Sequence, residues 1–548
     1  MAFSQVTRTE NIKRLKSEEF DLCIIGGGIS GAGVARDAAS RGLKVALIEA
    51  NDYASGTSSR SSKLIHGGVR YLENFEFGLV FEALSERSLL FKMAPHLVHP
   101  LRFVIPIYKN SRVGFWKMWA GMWLYDILAL FRTPQLHESL SRQEVRKRVP
   151  SLGDQGLTGA VEYSDAYTDD DRLVIESLRD AARKGAVQVN YVKATGGNFS
   201  ESLLQSVKVE DSLNGDKFEV KATHFVSGVG PWTDIFGETL HRGWQPQLRP
   251  TKGVHLVFAK ERIPVEKAIV MGVETRIIFV IPRHEMVIVG TTDTDFSMNP
   301  RDVFTDTDDV HYILQALDQY FPDLKIQKSD ILSSYCGVRP LVNDGSSTEG
   351  KTSRSHRIWT HGSNLTFVAG GKYTTYRKIS EEVVDHVLSQ GLSAKAKNLK
   401  AAQTKEPLNP LISETLYKQA IDKIDQWSKD YQISQDHVEF LVHRYGEEAL
   451  KLLENIRVLD PSLSEEVRLW MAEAAFSIEE TMCLSLTDFY WRRSPLFLSR
   501  KDHGMDFIEP LTQVFQQKLK WTDEEAEQQK DDLLLQMKRE LSWQHPIA

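Results

Sequence analysis

Three glycines, one acid and a run of hydroxyl and cationic side chains between Asp21 and Leu72 have spacings that can do chemistry. The order Gly26-x-Gly28-x-x-Gly31 fits a dinucleotide fingerprint. One glycine makes the turn, one lets backbone approach a pyrophosphate, and one lets helix pack closely on strand. A phosphate held there sits at a helix N-terminus, where free N–H groups and the dipole favour an anion. Glu49 follows eighteen residues after Gly31, in place for a carboxylate that accepts from a ribose hydroxyl. Beyond it lies a loop with Ser58, Ser59, Ser62, Lys63, His66, Gly67, Gly68, Arg70 and Tyr71. A serine-rich loop is usually plain surface. This one leaves the ribose-binding strand, so it must pass the pyrophosphate and the redox ring, where hydroxyls and N–H groups are useful. The fingerprint alone leaves NAD and FAD both open.

The elements that must position these residues are legible around them. Leu22 to Ile25 reads as a strand, the stretch with Ala32, Gly33, Ala35, Ala38 and Ala39 as a helix stopped by Arg41-Gly42, and Lys44 to Glu49 as a second strand. The chain's 548 residues, 41% hydrophobic, suffice for two or three cores. A net charge of −7 argues against a nucleic-acid partner. Cys23, Cys336 and Cys483 are too far apart for a metal-ligand pattern, the sixteen histidines form no HExxH, and no metal is expected. Three cysteines suit a reducing compartment. Residues 1–20 are polar, so a lead-in helix or arm is expected there rather than a secretory leader.

Further motifs carry a resemblance. SSRSSKLIHGGVRYLE, EYSDAYTDDDRLV, SGVGPWTD, TKGVHLVF, IVGTTDTDF, YCGVRPL and VAGGKYTTYR occur in this order between residues 58 and 377. Together the chain resembles the FAD-dependent, quinone-linked glycerol-3-phosphate dehydrogenases of the bacterial aerobic type. Relatives usually read Asn-Ala-Thr/Ala before Gly-Pro-Trp, so Ser227-Gly228-Val229 departs locally while Gly230 and Pro231 remain. The resemblance implies a glutathione-reductase-type, Rossmann-like α/β FAD domain, an antiparallel β substrate domain and a C-terminal α-helical cap. It implies FAD as cofactor, glycerol 3-phosphate as substrate, quinone as acceptor, peripheral attachment to the inner face of the cell membrane, and allows a homodimer. The alternatives are an oxygen-using oxidase, an amino-acid or hydroxy-acid oxidase of the same fold, and a non-catalytic flavin-binding scaffold.

Flavin hydride chemistry needs a held ring, a donor at its N1–O2 edge and an alcohol whose proton can leave. Gly371, Lys372, Tyr373 and Thr374 lie between an apolar strand, Leu365 to Ala369, and a helix through Arg377 to Leu388, so N–H groups there can face the reduced ring. With Gly230 they complete the expected cofactor set. A phosphate monoester asks for cations, ideally arginines. Arg70 and Arg339 stand in motifs beside glycine or proline, and Tyr71, Lys372 and Thr291 or Thr292 complete the expected clamp. The expected catalytic residues are His255 as base, Arg339 and Lys372. A histidine of ordinary pKa, about 6.5, suits that proton near neutrality. Both a core histidine and a base-free mechanism, with Arg339 lowering the hydroxyl's pKa, stay open.

Phe115 to Phe131 is the most apolar run, too short to span and broken by Lys117 and Asp126. As a helix it places Trp116, Trp119, Ala120, Trp123, Ile127 and Leu130 on one face. The residues allow a buried or an interfacial helix, and the resemblance favours the second. Ile277 to Ile281 and Met286 to Val289 read as a hairpin. The expected domains are 1–75, 157–245 and 336–395 for FAD, and 76–156 and 246–335 for substrate and membrane. A linker is expected over 396–410 and a helical domain over 411–548. Ser494-Pro495 is expected to break a helix, and Asp523 to Glu540 to form a solvated one.

Overall fold

The glycine-turn unit lies at the centre of the first sheet of the computed structural model, which describes residues 3–273, 276–345, 354–390, 392 and 399–544. Helix α1 (Gln5–Ser17) leads into β1 (Glu19–Ile25), α2 (Ile29–Arg41) and β2 (Val45–Ile48). Gly42 ends α2 with a left-handed φ of 96°, and its N–H reaches the carbonyls of Ala38 and Ala39. There follow β3 (Leu64–Ile65), α3 (Phe77–Met93), β4 (Val98–Tyr108), α4 (Phe115–Leu128), β5 (Glu138–Ser141), α5 (Arg142–Arg148) and β6 (Leu157–Thr168). The chain continues through α6 (Asp170–Arg183), β7 (Val187–Val189), β8 (Val192–Ser200), β9 (Leu203–Asp211), β10 (Lys217–Ser227) and α7 (Thr233–Leu240). Next are β11 (Leu248–Ala259), β12 (Ala268–Val273), β13 (Arg276–Arg283), β14 (Met286–Gly290), β15 (Thr294–Asp295), α8 (Thr307–Tyr320) and β16 (Ile331–Val342). Then come β17 (His356–His361), β18 (Leu365–Gly370) and α9 (Tyr376–Gln390).

The first sheet has the parallel core β18-β10-β1-β2-β7, with β17 antiparallel on β18 and the β8–β9 hairpin on β10. Its central strands β1 and β2 are apolar on both faces from Leu22 on because helices cover both. Ala35 of α2, Ile175 of α6 and Val383 of α9 share one core, while Leu15 of α1 and Phe236 of α7 share the other. Each fully buried Val, Leu or Ile contributes about 1.5–3 kcal/mol. Gly33 lets α9 come close: a Cβ there would stand 2.2 Å from the Ser380 hydroxyl.

The second sheet runs β15-β11-β14-β13-β12-β4-β6-β3, with β16 on β11 and β5 on β6. Its pairs are antiparallel except β12 with β4. The expected hairpin forms as β13–β14 around His284-Glu285. One face packs on α8 through Val310, Ile313 and Leu317, the other on α3 and α4 through Val80, Leu84, Met122 and Tyr125. β6 and most of β16 lie inside ranges assigned from sequence to the FAD domain, yet both pair in this second sheet. Their apolar pattern marks strands without marking which sheet they join.

Residues 414–540 are helical around a core that includes Trp427, Leu441, Phe476, Phe489 and Phe515. One helix stops at Arg492 and the next starts at Leu496, the break expected at Ser494-Pro495. The last helix, Asp523–Glu540, differs from the expected solvated one. Ala526, Leu533 and Met537 are buried, and Glu540 holds Arg60 of the cofactor loop at 2.6 Å. Of the expected linker, residues 396–398 lie outside the described part. Beyond them, Arg36 donates to the carbonyls of Thr404 and Glu406, and Leu408 is buried.

Candidate active site

The site is a cleft between the two sheets, with an empty volume of about 2340 Å³ including its mouth. Gly26, Gly28, Glu49, Ser58, Ser62, His66, Tyr71, Gly230, His255, Arg339, Gly371, Lys372 and Tyr373 line it, bringing together residues far apart in sequence. At one end Gly26 turns with φ 109°, and Gly28 caps α2 without a side chain to obstruct the approach. A Cβ on Gly31 would lie 1.9 Å from the Gly26 carbonyl oxygen, so Gly31 serves helix-on-strand packing and does not line the cleft. The Glu49 carboxylate accepts from the N–H groups of Gly27 (2.6 Å) and Asn51 (2.9 Å). Burial nonetheless raises its pKa to about 7. Ser58 accepts from the Ile29 N–H at the start of α2, at 2.9 Å.

At the other end, β18 delivers Gly370 and Gly371, both at positive φ, and Lys372 caps the turn that becomes α9. The Lys372 ammonium lies 3.5 Å from the centre of the Tyr71 ring, with no hydrogen-bond partner among the described residues. Burial lowers its pKa to about 8, against the opposing fields of Glu76 and Glu82. A buried cation over an aromatic face, aimed into a cleft, is a seat for an anion. Arg339 of β16 and Arg354, just before β17, both reach Asp293, at 3.0 and 2.9 Å. Arg339 also donates to Thr291 Oγ1 (2.9 Å) and to the carbonyls of Lys252 (3.3 Å) and Thr292 (3.1 Å). Its guanidinium crosses Gly253, where a Cβ would stand 2.2 Å from Nη2. Two arginines against the one Asp293 carboxylate, with the Lys372 ammonium beside them lacking a hydrogen-bond partner among the described residues, leave positive charge suited to a phosphate.

His255 of β11 faces this end. Its Nε2 lies 2.8 Å from Ser62 Oγ, its ring stacks on Tyr335 at 4.7 Å, and its Nδ1 has no partner among the described residues. Burial, then the charges of Arg339 and Lys63, hold it well below the usual histidine range. The expected base is therefore a neutral imidazole rather than one of ordinary pKa. Burial likewise lowers His66 and raises Tyr71.

Several expected ligands act one step back. Thr291 supports Arg339, and the buried Thr292 hydroxyl accepts from the Val254 N–H at 3.0 Å; neither lines the cleft. Arg70 precedes Tyr71 in a 3-10 turn of three residues per revolution, which sends neighbours to different faces, and only Tyr71 lines the cleft. Lys63 is buried against Asp170 at the start of α6, with the Ser59 carbonyl as a second acceptor. Thr374 exchanges hydrogen bonds with the His66 backbone, and Gly67 and Gly68 form the loop behind the cleft. Arg354 was not singled out from the sequence, because it belongs to none of the motifs; only its charge could have marked it. Asp52 was missed too. Arg493 grips it with two bonds of 3.0 Å and Arg492 with one of 2.5 Å, fixing the helical domain to the loop after Glu49.

The residues present fit FAD: a bare glycine turn and a part-buried acid at one end, and glycines at positive φ ahead of a helix at the other. The family model for FAD dependent oxidoreductases matches residues 21–377, and that for the C-terminal domain of alpha-glycerophosphate oxidase matches residues 417–526. The aerobic glycerol-3-phosphate dehydrogenase of Staphylococcus saprophyticus is 33% identical over 537 residues, 96% of each chain. That of Bacillus subtilis is 33% identical over 551 residues, 96% of this chain and 95% of the relative. The glycerol-3-phosphate dehydrogenase of Bacillus halodurans, solved with FAD, superposes with a TM-score of 0.80 at 27% identity, covering 100% of both chains. The chain belongs to the FAD-dependent oxidoreductase family, among the aerobic glycerol-3-phosphate dehydrogenases.

Proposed function

We propose that this protein oxidises sn-glycerol 3-phosphate to dihydroxyacetone phosphate and passes the electrons to a membrane quinone. One observation carries the reading: Arg339, Arg354 and Lys372 converge in the same cleft as a dinucleotide cradle and a neutral histidine. Bound FAD supplies the hydride acceptor. Gly26, Gly28, Glu49 and Ser58 would hold its nucleotide end, and Gly371, the Lys372 backbone and Tyr373 its ring end. The cations seat the phosphate and fix the C2 carbon. Arg339 lies near enough to His255 to bear on its charge, so its field also favours an alkoxide. His255, neutral at physiological pH, takes the C2 hydroxyl proton through Nε2 or by way of Ser62. Turnover with a soluble quinone tests this. Dihydroxyacetone phosphate should appear in step with quinone reduction, and its absence with a yellow, folded protein overturns the reading.

The bilayer is the proposed home of the acceptor. No helix among the described residues is long and apolar enough to cross a membrane. α4 turns Trp116, Trp119, Trp123 and Ile127 outward, Trp116 with 76% of its surface exposed, and Leu130 and Phe131 extend the patch. Phe75, just before α3, and Phe77 and Phe81 in its first turns are exposed as well. Indole rings favour headgroup depth, and Lys117 and Arg132, near in sequence, suit anionic lipid. Trp119→Ser with Trp123→Ser should abolish co-sedimentation with vesicles while substrate still bleaches the flavin. A shift in oligomeric state instead would assign the patch to a second copy of the chain.

A further inference from the structure

The outer face of α4 carries tryptophans, but its inner face ends on the flavin-side loop. Tyr125, 2% exposed, points inward. Its hydroxyl donates to the Asp165 carboxylate (2.8 Å) and accepts from the backbone N–H of Gly67 (3.0 Å). Arg87 of α3 pairs with the same carboxylate. Gly67 is obligatory at this junction, since a Cβ would lie 2.5 Å from the Tyr125 hydroxyl and 2.5 Å from Leu84. His66 on one side of Gly67 lines the cleft. On the other side, Gly68 turns with φ 77°, and its Cβ position lies 2.4 Å from the Tyr71 ring and 3.3 Å from the Lys372 ammonium. One continuous set of contacts therefore runs from α4 through Tyr125 and Gly67 to the Tyr71–Lys372 seat.

We propose that Tyr125 is a positioning residue that transmits the seating of α4 on a bilayer to the anion-binding end of the substrate pocket. The inference rests on the membrane reading above. Within α4 Met122, Tyr125 and Asp126 are buried and Phe115, Met118 and Leu128 pack on the same core while partly exposed, whereas the tryptophans face outward. A helix held from one face alone opens more readily than one enclosed on both. Burying its outer face in lipid adds contacts only when the helix is formed and docked, so lipid favours the state in which Tyr125 holds Gly67. A neutral hydrogen bond of this kind alters an equilibrium about 3- to 10-fold. The effect belongs in KM, because the displaced parts are the phosphate seat and not the hydride path.

The test measures KM for glycerol 3-phosphate and co-sedimentation for the full-length yellow protein, with and without vesicles of mixed phosphatidylcholine and phosphatidylglycerol. Wild type should sediment with the vesicles and show a KM about 3- to 10-fold lower on them, with flavin reduction at saturation unchanged. Tyr125→Phe keeps the ring and loses the hydroxyl. It should sediment equally and show no fall in KM. The Trp119→Ser, Trp123→Ser pair should lose both responses and keep the lipid-free KM, an arm that decides the matter if Tyr125→Phe does not retain FAD. Wild type that sediments with no change in KM, or Tyr125→Phe with the wild-type fall, overturns the coupling alone. Wild type that does not sediment overturns the membrane reading, and the coupling with it.

Discussion

Replacing Arg339 by lysine keeps a positive charge at the site and removes the planar fork. The guanidinium satisfies Asp293, Thr291 and two carbonyls through Nη1 and Nη2 while its side chain stays 22% exposed to the cleft. A lysine presents three donors at one point and cannot reach Asp293, the Thr291–Thr292 wall and a ligand together. Each charge-assisted bond lost in the transition state costs about 1.5–3 kcal/mol. With both Nη groups engaged by the protein, Nε is the donor left to a ligand, and one such bond amounts to roughly 10- to 10²-fold in kcat/KM. The fold should survive, since Arg354 still neutralises Asp293 at 2.9 Å. The assay is anaerobic flavin reduction by glycerol 3-phosphate and by glycerol. A group that serves only the phosphate is nearly silent with glycerol, whereas one that also stabilises the alkoxide slows both. Arg339→Lys protein that stays yellow and reduces with glycerol 3-phosphate at the wild-type rate refutes the reasoning, and the cation cluster would then serve the fold alone.

Other consequences follow from neighbouring contacts. Gly253→Ala places a methyl 2.2 Å from Arg339 Nη2, so it should reproduce most of the Arg339→Lys defect with FAD retained; normal kcat/KM in this variant would show that the guanidinium has other room. Lys372 is cationic below about 8 and neutral above, so kcat/KM should fall as pH rises through that value, and Lys372→Met should abolish that limb. Ribose hydroxyls donate to the ionised form of Glu49, whose pKa burial raises to about 7. FAD affinity of the apoprotein should therefore weaken as pH falls through that value, by about 10-fold per unit, with titration calorimetry detecting proton release on binding. Arg493→Lys breaks the two-bond grip on Asp52 and should lower thermal stability and FAD retention together; loss of neither would detach the helical domain from the cofactor loop.

Local rules made the nucleotide end legible. A glycine turn, a small-residue helix and a strand-end acid each announce themselves within about twenty residues, and the structure brings them into one cleft. The strand and helix around Gly371 and Lys372 were readable for the same reason. Errors arose where a role depends on a direction or on a distant partner. Lys63 and Thr292 sit in motif segments, yet their side chains turn to Asp170 and to the Val254 N–H. Arg70 and Tyr71 are neighbours whose faces only the turn type separates. Asp52 meets Arg493 across 441 residues, and Arg354 meets Asp293 across 61; no periodicity encodes either pairing. The lowered pKa of His255 is a product of burial that composition cannot supply.

Anaerobic mixing of the yellow holoprotein with candidate substrates tests the central claim most directly. The convergence of Arg339, Arg354 and Lys372 on one cleft predicts that glycerol 3-phosphate bleaches the flavin, that glycerol at equal concentration does so far more slowly, and that 2-hydroxy acids and amino acids leave it oxidised. A flavin that stays oxidised with glycerol 3-phosphate but bleaches with an amine or an unphosphorylated alcohol would contradict the account.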